Sequence, residues 1–159
     1  MSIYKISILI FLTILFVGCN KTKTEIKEKK KITKNIIDPA TQRWYSKEMV
    51  KYGKPIYEKH CSSCHGLKGE GQRLEWNVKI SREKYPIPSL GNGSHAINHS
   101  LKGLRLTLKD GGKPIGGLMP SFKDKLTKED IDETIAYFQN FWNKDNYEKW
   151  LKNSKFENL

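Results

Sequence analysis

Residues that could do chemistry are most concentrated between positions 60 and 66. Cys61 and Cys64 are separated by two residues, and His65 follows directly. This spacing is the attachment signature of c-type haem. The two thiols can form thioethers with the vinyl groups of haem, and the adjacent imidazole can then bind the iron from one face.

Two other uses of a cysteine pair agree less well with the rest of the sequence. A structural zinc site normally has four protein ligands, and the only other cysteine is Cys19, far upstream. A thioredoxin-like pair would lie beside a βαβ pattern, and no alternation of strand and helix is present. The sequence therefore predicts one covalent haem c, attached at Cys61 and Cys64, with His65 as an axial ligand.

A second axial ligand can come from few side chains. Of the three methionines, Met1 lies in the apolar N-terminal segment and Met49 in the first predicted helix, so Met119 is the one left in a downstream loop. His95 and His99 are the alternatives, because each could bind iron through its imidazole. We predict Met119 as the sixth ligand, with the two histidines as the remaining candidates.

The third cysteine follows an apolar run near the N-terminus. Lys5 precedes residues 6–17, and this run is shorter than the ~20 residues that a membrane-spanning helix needs. Its length is typical of the apolar part of a signal peptide. Val17-Gly18-Cys19 resembles a bacterial lipobox, although Phe16 stands where leucine is usual. Residues 1–18 are therefore predicted to be a lipoprotein signal peptide and Cys19 the lipid attachment site; an ordinary signal peptide and an uncleaved short anchor are the alternatives.

Composition divides the rest of the chain. Residues 19–40 are rich in lysine, contain no aromatic residue and few apolar ones, so they could not bury enough surface to offset the entropy of ordering. We predict a lipid-anchored flexible linker there, with a short helix as the alternative. Residues 41–152 are expected to form one globular domain, and residues 153–159 a tail.

Helical patterns dominate the predicted domain. A stripe of apolar residues at spacings of three and four covers residues 46–60, with Ser46 as a plausible N-cap. Because an interior proline removes a hydrogen bond, Pro55 predicts that the true helix runs only over residues 54–61. Residues 94–108 predict one or two short helices. Thr127 and Asp130 predict the start of a final helix, and a further short helix could follow around residues 147–151.

Charge indicates the kind of partner. The chain carries a formal net charge of +12, which favours acidic protein surfaces or anionic lipid. Nucleic acid is disfavoured because the lysines are spread along the chain and the N-terminus is typical of export. We expect a monomer, on the periplasmic side of a bacterial membrane, that meets redox proteins with acidic docking surfaces.

Several motifs together resemble those of class I cytochromes c, the small mono-haem electron carriers. The similar segments are 61–66, 88–90, 119–122 and 135–138, and the resemblance extends over residues 49–150. It implies a small all-α cytochrome c fold, in which the N- and C-terminal helices pack across a covalently bound haem. The chain departs from the family pattern between Gly71 and Pro86.

The resemblance also implies roles for individual residues. The backbone carbonyl of Pro88 should accept the second imidazole proton of His65, and Leu90 should pack on the haem. Gly53 and Tyr57 should allow the first helix to cross the last one closely.

Histidine and methionine on opposite faces would leave no position on the iron for oxygen or peroxide. We therefore expect an electron-transfer protein and not an enzyme: an anchored carrier between respiratory or periplasmic oxidoreductases. Two alternatives remain. One is a haem enzyme or gas-sensing module with an open or displaceable sixth site, and the other is a fixed haem subunit of a larger oxidoreductase complex.

Overall fold

The computed structural model describes residues 38, 40–72, 77–81, 85–113 and 117–153, which all belong to one unit. The predicted signal peptide, Cys19, and nearly all of the predicted linker and tail lie outside the described residues. Within the described part of the chain, no helix is long and apolar enough to cross a membrane.

The described residues form helices joined by loops. The elements are α1 (Lys47–His60), α2 (Ser62–His65), a 3-10 helix (His95–Asn98), α3 (Leu101–Asp110), α4 (Lys128–Gln139) and α5 (Lys144–Asn153). No strand occurs in these ranges, and Asp38 and Arg43 form an isolated antiparallel bridge. The predicted all-α fold is confirmed.

Helix α1 begins where its N-cap predicts but continues through its proline. The side-chain oxygen of Ser46 accepts a hydrogen bond from the backbone N–H of Met49 at 3.3 Å. The prediction that the helix starts only at residue 54 is wrong, because Pro55 lies inside α1. Pro55 is exposed, while Gly53 and Tyr57 are buried on the other face. Packing of that face therefore outweighs the one hydrogen bond that the proline removes.

Helices α1 and α4 cross at very short range. A Cβ atom added to Gly53 would lie 1.9 Å from the carbonyl oxygen of Glu133 and 3.0 Å from Cβ of Tyr137. One turn later, the ring of Tyr57 is fully buried, and its centroid lies 5.2 Å from that of Tyr137. The close crossing implied by the family resemblance is present, and it brings the two ends of the domain together.

Helix α4 begins with the predicted capping box. The Thr127 hydroxyl accepts from the backbone N–H of Asp130 at 3.1 Å, and the Asp130 carboxylate accepts from the backbone N–H of Thr127 at 3.0 Å. Aspartate thus replaces the usual glutamate in this motif. The buried side of the helix then carries Ile131, Ile135 and Phe138.

The end of α4 is held by a residue from before α1. The Arg43 guanidinium donates to the carbonyl oxygens of Gln139 at 2.9 Å and Trp142 at 2.8 Å, and it lies 4.4 Å from the ring centroid of Tyr147. The last carbonyls of a helix have no partner within it, so Arg43 bonds the Gln139 carbonyl at the end of α4 and also holds the Trp142 carbonyl in the following loop. The further helix predicted near residue 147 is present as α5, in which Tyr147 and Trp150 are buried.

Candidate haem site

A mostly apolar cavity, partly open to solvent, lies in this helical domain. It is lined by Cys61, His65, Pro88, Ser89, Leu90, His95, Ala96, His99, Leu104, Thr107, Leu108, Met119, Thr134 and Phe138. Of the residues predicted for the site, five therefore line the same cavity. Cys64 is not among them and is exposed.

A single helical turn presents the attachment motif. The carbonyl oxygen of Cys61 accepts from the N–H of Cys64 at 3.1 Å and of His65 at 2.9 Å. Cys61 and His65 lie four positions apart on this turn and both line the cavity, whereas the Cys64 side chain is exposed. The two cysteines are free thiols, and burial raises the pKa of Cys61 to about 11.

The imidazole of His65 is oriented by a backbone carbonyl. Its Nδ1 lies 2.9 Å from the carbonyl oxygen of Pro88, and because a carbonyl only accepts, Nδ1 is the protonated nitrogen. The ring is 8% exposed. Burial lowers the pKa of His65, and the bond to Pro88 partly opposes this. A neutral ring with an unprotonated Nε2 is the form that binds metal.

A glycine turn holds Pro88 beside His65. The carbonyl oxygen of Gly69 accepts from the N–H groups of Leu90 at 2.8 Å and Gly91 at 2.9 Å. Gly71 has a φ of 67°, and a Cβ there would lie 2.5 Å from the backbone nitrogen of Ser89. A side chain at position 71 would separate the two segments, so the glycine is required by this close approach.

Met119 reaches the cavity because its loop folds back on the end of α3. The N–H of Gly112 donates to the carbonyl oxygen of Met119 at 2.9 Å. Gly111 has a φ of 78°, and a Cβ on it would lie 2.7 Å from that same oxygen. The methionine is half-buried against the core, on the cavity lining with His65.

Both alternative ligands line the cavity as well. Nε2 of His95 lies 2.8 Å from Nε2 of His99, so one ring donates and the other accepts. Burial, and then the neighbouring His99, lower the pKa of His95. The fold therefore brings Met119 and both histidines to one cavity, and the sixth ligand remains a prediction.

Sequence patterns missed two contacts to the cavity lining. Trp142 and Trp150 are both buried. Their indole N–H groups also donate to the carbonyl oxygens of Leu90 at 2.9 Å and His99 at 2.7 Å. A buried tryptophan usually has a hydrogen-bond partner, but its pattern in the sequence does not indicate which carbonyl.

The residues at the cavity suit haem c. Haem is a large, mainly apolar group, and the lining is mainly apolar. The motif offers two free thiols and an imidazole whose Nδ1 is already engaged by Pro88. Met119 adds a thioether to the lining. Cys61 and Cys64 would hold the group covalently, with His65 as an axial ligand to its iron.

A model of a known protein family supports the same cofactor. Residues 48–138 match the family model described as cytochrome c oxidase, cbb3-type, subunit III. The chain is also similar to the crystal structure of cytochrome cL from the marine methylotrophic bacterium Methylophaga aminisulfidivorans MPT, at 21% identity and a TM-score of 0.47, over 77% of this chain and 71% of that one. No curated protein matches the chain.

The matched segment covers more than half of the chain and contains the attachment motif, Pro88, Leu90 and Met119. Its members are electron-transfer proteins with covalently bound c-type haem. The chain is thus a mono-haem c-type cytochrome and belongs to the family described as cytochrome c oxidase, cbb3-type, subunit III.

Proposed function

We propose that this cytochrome is a lipid-anchored electron carrier on the periplasmic side of a bacterial membrane, with His65 and Met119 as its axial ligands. The observation that carries the ligand assignment is that His65 and Met119 line one apolar cavity, each held there by a backbone hydrogen bond. When bound, haem c supplies one-electron exchange at its iron.

The residues around the cavity suit that exchange. The bond from Nδ1 of His65 to Pro88 fixes the tautomer and the ring orientation, so the ligand needs no reorientation between oxidation states. Methionine in place of a second histidine raises the reduction potential. The lining, including Leu90, Leu104 and Phe138, is mainly apolar and would limit water around a bound haem.

The surface near the motif and the methionine loop suits weak docking to an acidic redox protein. Leu67 is 64% exposed and Leu118 is 70% exposed, and each is close in sequence to a proposed ligand. Exposed lysines flank these segments at positions 59, 68, 113 and 123. Such charges raise the association rate with an acidic partner, while the exposed leucines would supply the apolar contact.

The family description favours a second candidate, a fixed haem subunit of an oxidase complex. The two functions differ in how firmly partners are held. A carrier should separate from its partners during purification in mild detergent at moderate salt, whereas a fixed subunit should elute with an oxidase in constant proportion. Constant co-elution at high salt would overturn the carrier proposal.

Spectroscopy of the full-length, haem-loaded protein tests the ligands. The oxidised protein should show the weak far-red charge-transfer band of methionine-ligated haem, and the reduced protein should bind carbon monoxide slowly. Met119→Ala should abolish the band and lower the reduction potential, whereas His95→Gln and His99→Gln should keep the band. Loss of the band in a histidine variant, or rapid carbon monoxide binding by the unaltered protein, would refute Met119 as the ligand.

The anchor has a separate test. The producing cell should incorporate labelled palmitate into this protein, and Cys19→Ala should abolish the label. An unlabelled wild-type protein would refute lipidation. An equally labelled Cys19→Ala variant would refute Cys19 as the site.

A further inference from the structure

Two tryptophan indoles near the C-terminus donate hydrogen bonds to backbone carbonyls on one side of the proposed haem cavity. This side, residues 88–99, is called the cavity wall here. Trp142 donates to the carbonyl oxygen of Leu90 at 2.9 Å, and Trp150 donates to that of His99 at 2.7 Å. Both tryptophans are 2% exposed. Water therefore cannot readily take the place of either indole N–H in these two hydrogen bonds.

An asparagine between those two points is held from the same direction. The side-chain oxygen of Asn92 accepts from the backbone N–H of Asn143 at 3.0 Å and from the side-chain amide of Asn146 at 2.6 Å. Residues 142–150, called the C-terminal clamp here, therefore contact the cavity wall at three successive positions.

The C-terminal clamp is itself held in place by packing. The rings of Trp142 and Trp150 have centroids 6.0 Å apart, and those of Tyr147 and Trp150 are 5.4 Å apart. The hydroxyl of Tyr147 accepts from the backbone N–H of Trp44 at 2.9 Å, and Arg43 stacks on the Tyr147 ring. Movement of the clamp would disturb this whole aromatic cluster.

We infer that the C-terminal clamp is a positioning element for the haem, which fixes the cavity wall, keeps water out of it and thereby raises the reduction potential. The clamp lies wholly after residue 138, where the match to the family model ends. The inference rests on the proposed function, because it requires haem in this cavity.

The physical link to the potential has two parts. The cavity wall begins at Pro88, whose carbonyl oxygen orients His65. A wall that moves would loosen this bond, and hydrogen bonding to an axial histidine tunes the metal. In addition, carbonyls of Leu90 and His99 that lose their indole donors would need water instead. Water near the haem stabilises the more positive oxidised state, so the potential should fall.

Three phenylalanine variants of the haem-loaded full chain, and a fourth as control, test this inference. Trp142→Phe and Trp150→Phe, alone and together, each remove an indole donor to the wall. Trp44→Phe is the matched control, because Trp44 is also buried and its indole donates to the side chain of Gln139 at 2.6 Å. Neither Trp44 nor Gln139 lines the cavity.

The double variant should have a lower reduction potential than both the wild type and Trp44→Phe. The expected change is up to about tenfold in the equilibrium between oxidation states, which is about 59 mV for one electron. Backbone N–H groups of Ser94 and His99, which bond within the wall, should also exchange with solvent faster. A general loss of stability would affect the control as well.

Equal potentials and equal exchange in the double variant and in Trp44→Phe would overturn the inference. If the double variant does not fold, the reduction potential and amide exchange of each single variant are compared with those of Trp44→Phe instead. The outcome is separable from the ligand assignment, because that assignment depends on the far-red band and on Met119→Ala, whereas the clamp depends only on differences from the Trp44→Phe control.

Discussion

Replacing Gly53 with alanine tests the helix crossing that holds the domain together. The added Cβ would lie 1.9 Å from the carbonyl oxygen of Glu133 and 2.5 Å from its carbonyl carbon. A C···O contact normally needs about 3.3 Å, so α1 and α4 would have to separate by more than about 1 Å. The obstacle is helix backbone, which cannot rotate away as a flexible side chain could.

The expected cost follows from two opposing effects. Overpacking in a core typically costs about 1–3 kcal/mol, and a clash with backbone should lie at the upper end. Alanine in a helix interior recovers about 1 kcal/mol relative to glycine. The net loss should therefore be about 2 kcal/mol, which for a domain of this size lowers the melting temperature by roughly 10 °C.

Gly103→Ala provides the matched control for the helix propensity. Gly103 lies in α3, and a Cβ there would meet only the Ser100 side-chain oxygen at 3.4 Å and Cβ of His99 at 3.9 Å. These are ordinary contacts, so the free energy of unfolding should stay equal or rise by up to about 1 kcal/mol.

Urea unfolding of the haem-loaded protein, followed by far-UV circular dichroism, measures both variants. Gly53→Ala should lower the midpoint without changing the slope, while Gly103→Ala should not lower it. A Gly53→Ala variant as stable as the wild type would mean that α1 and α4 do not cross in backbone contact at this position.

Three further changes have outcomes set by local contacts. Arg43→Lys should cost about 1–3 kcal/mol of unfolding free energy, because lysine cannot serve both carbonyls that the guanidinium reaches; an unchanged thermal midpoint would argue against that capping. Thr127→Ala should cost about 1 kcal/mol by removing the capping box of α4, measured by urea unfolding, and no change would mean that the box does not stabilise the helix. Hydrogen bonds from backbone N–H groups, its own and that of Lys68, lower the pKa of Glu70. Its charge therefore stabilises the fold above the ordinary value of about 4.3, and this contribution disappears as the pH falls through the lowered pKa. As the pH falls through the lowered pKa of Glu70, the difference in unfolding free energy between wild type and Glu70→Gln should shrink. A difference in urea midpoint that does not change with pH would contradict a stabilising role for the Glu70 charge.

The sequence alone determined those features of this protein that depend on near neighbours in the chain. The spacing of Cys61, Cys64 and His65 predicts haem attachment because two thiols and an adjacent imidazole, all within five residues, are the groups that attach c-type haem. The N-caps at Ser46 and Thr127 were predictable for the same reason, since each bonds a backbone N–H three residues ahead. The all-α fold follows from apolar spacing that is itself local.

Other features were decided only by packing between distant segments. Pro55 predicted a short first helix, but burial of the opposite face of α1 against α4 carries the helix through it. Arg43 reaches carbonyls 96 and 99 residues away, and no local pattern indicates such partners. Likewise, the sequence could name Met119, His95 and His99 as candidates for the sixth iron ligand. Only the fold shows that all three line the same cavity.

The cavity wall shows the same division. Pro88 and Leu90 could be named from a family pattern, but the indole donors that hold the wall come from about 50 residues further along the chain. Trp142 and Trp150 are buried because burial removes their large apolar rings from water. Which carbonyl then meets the indole N–H depends on how the last two helices pack, and that is a property of the tertiary structure alone.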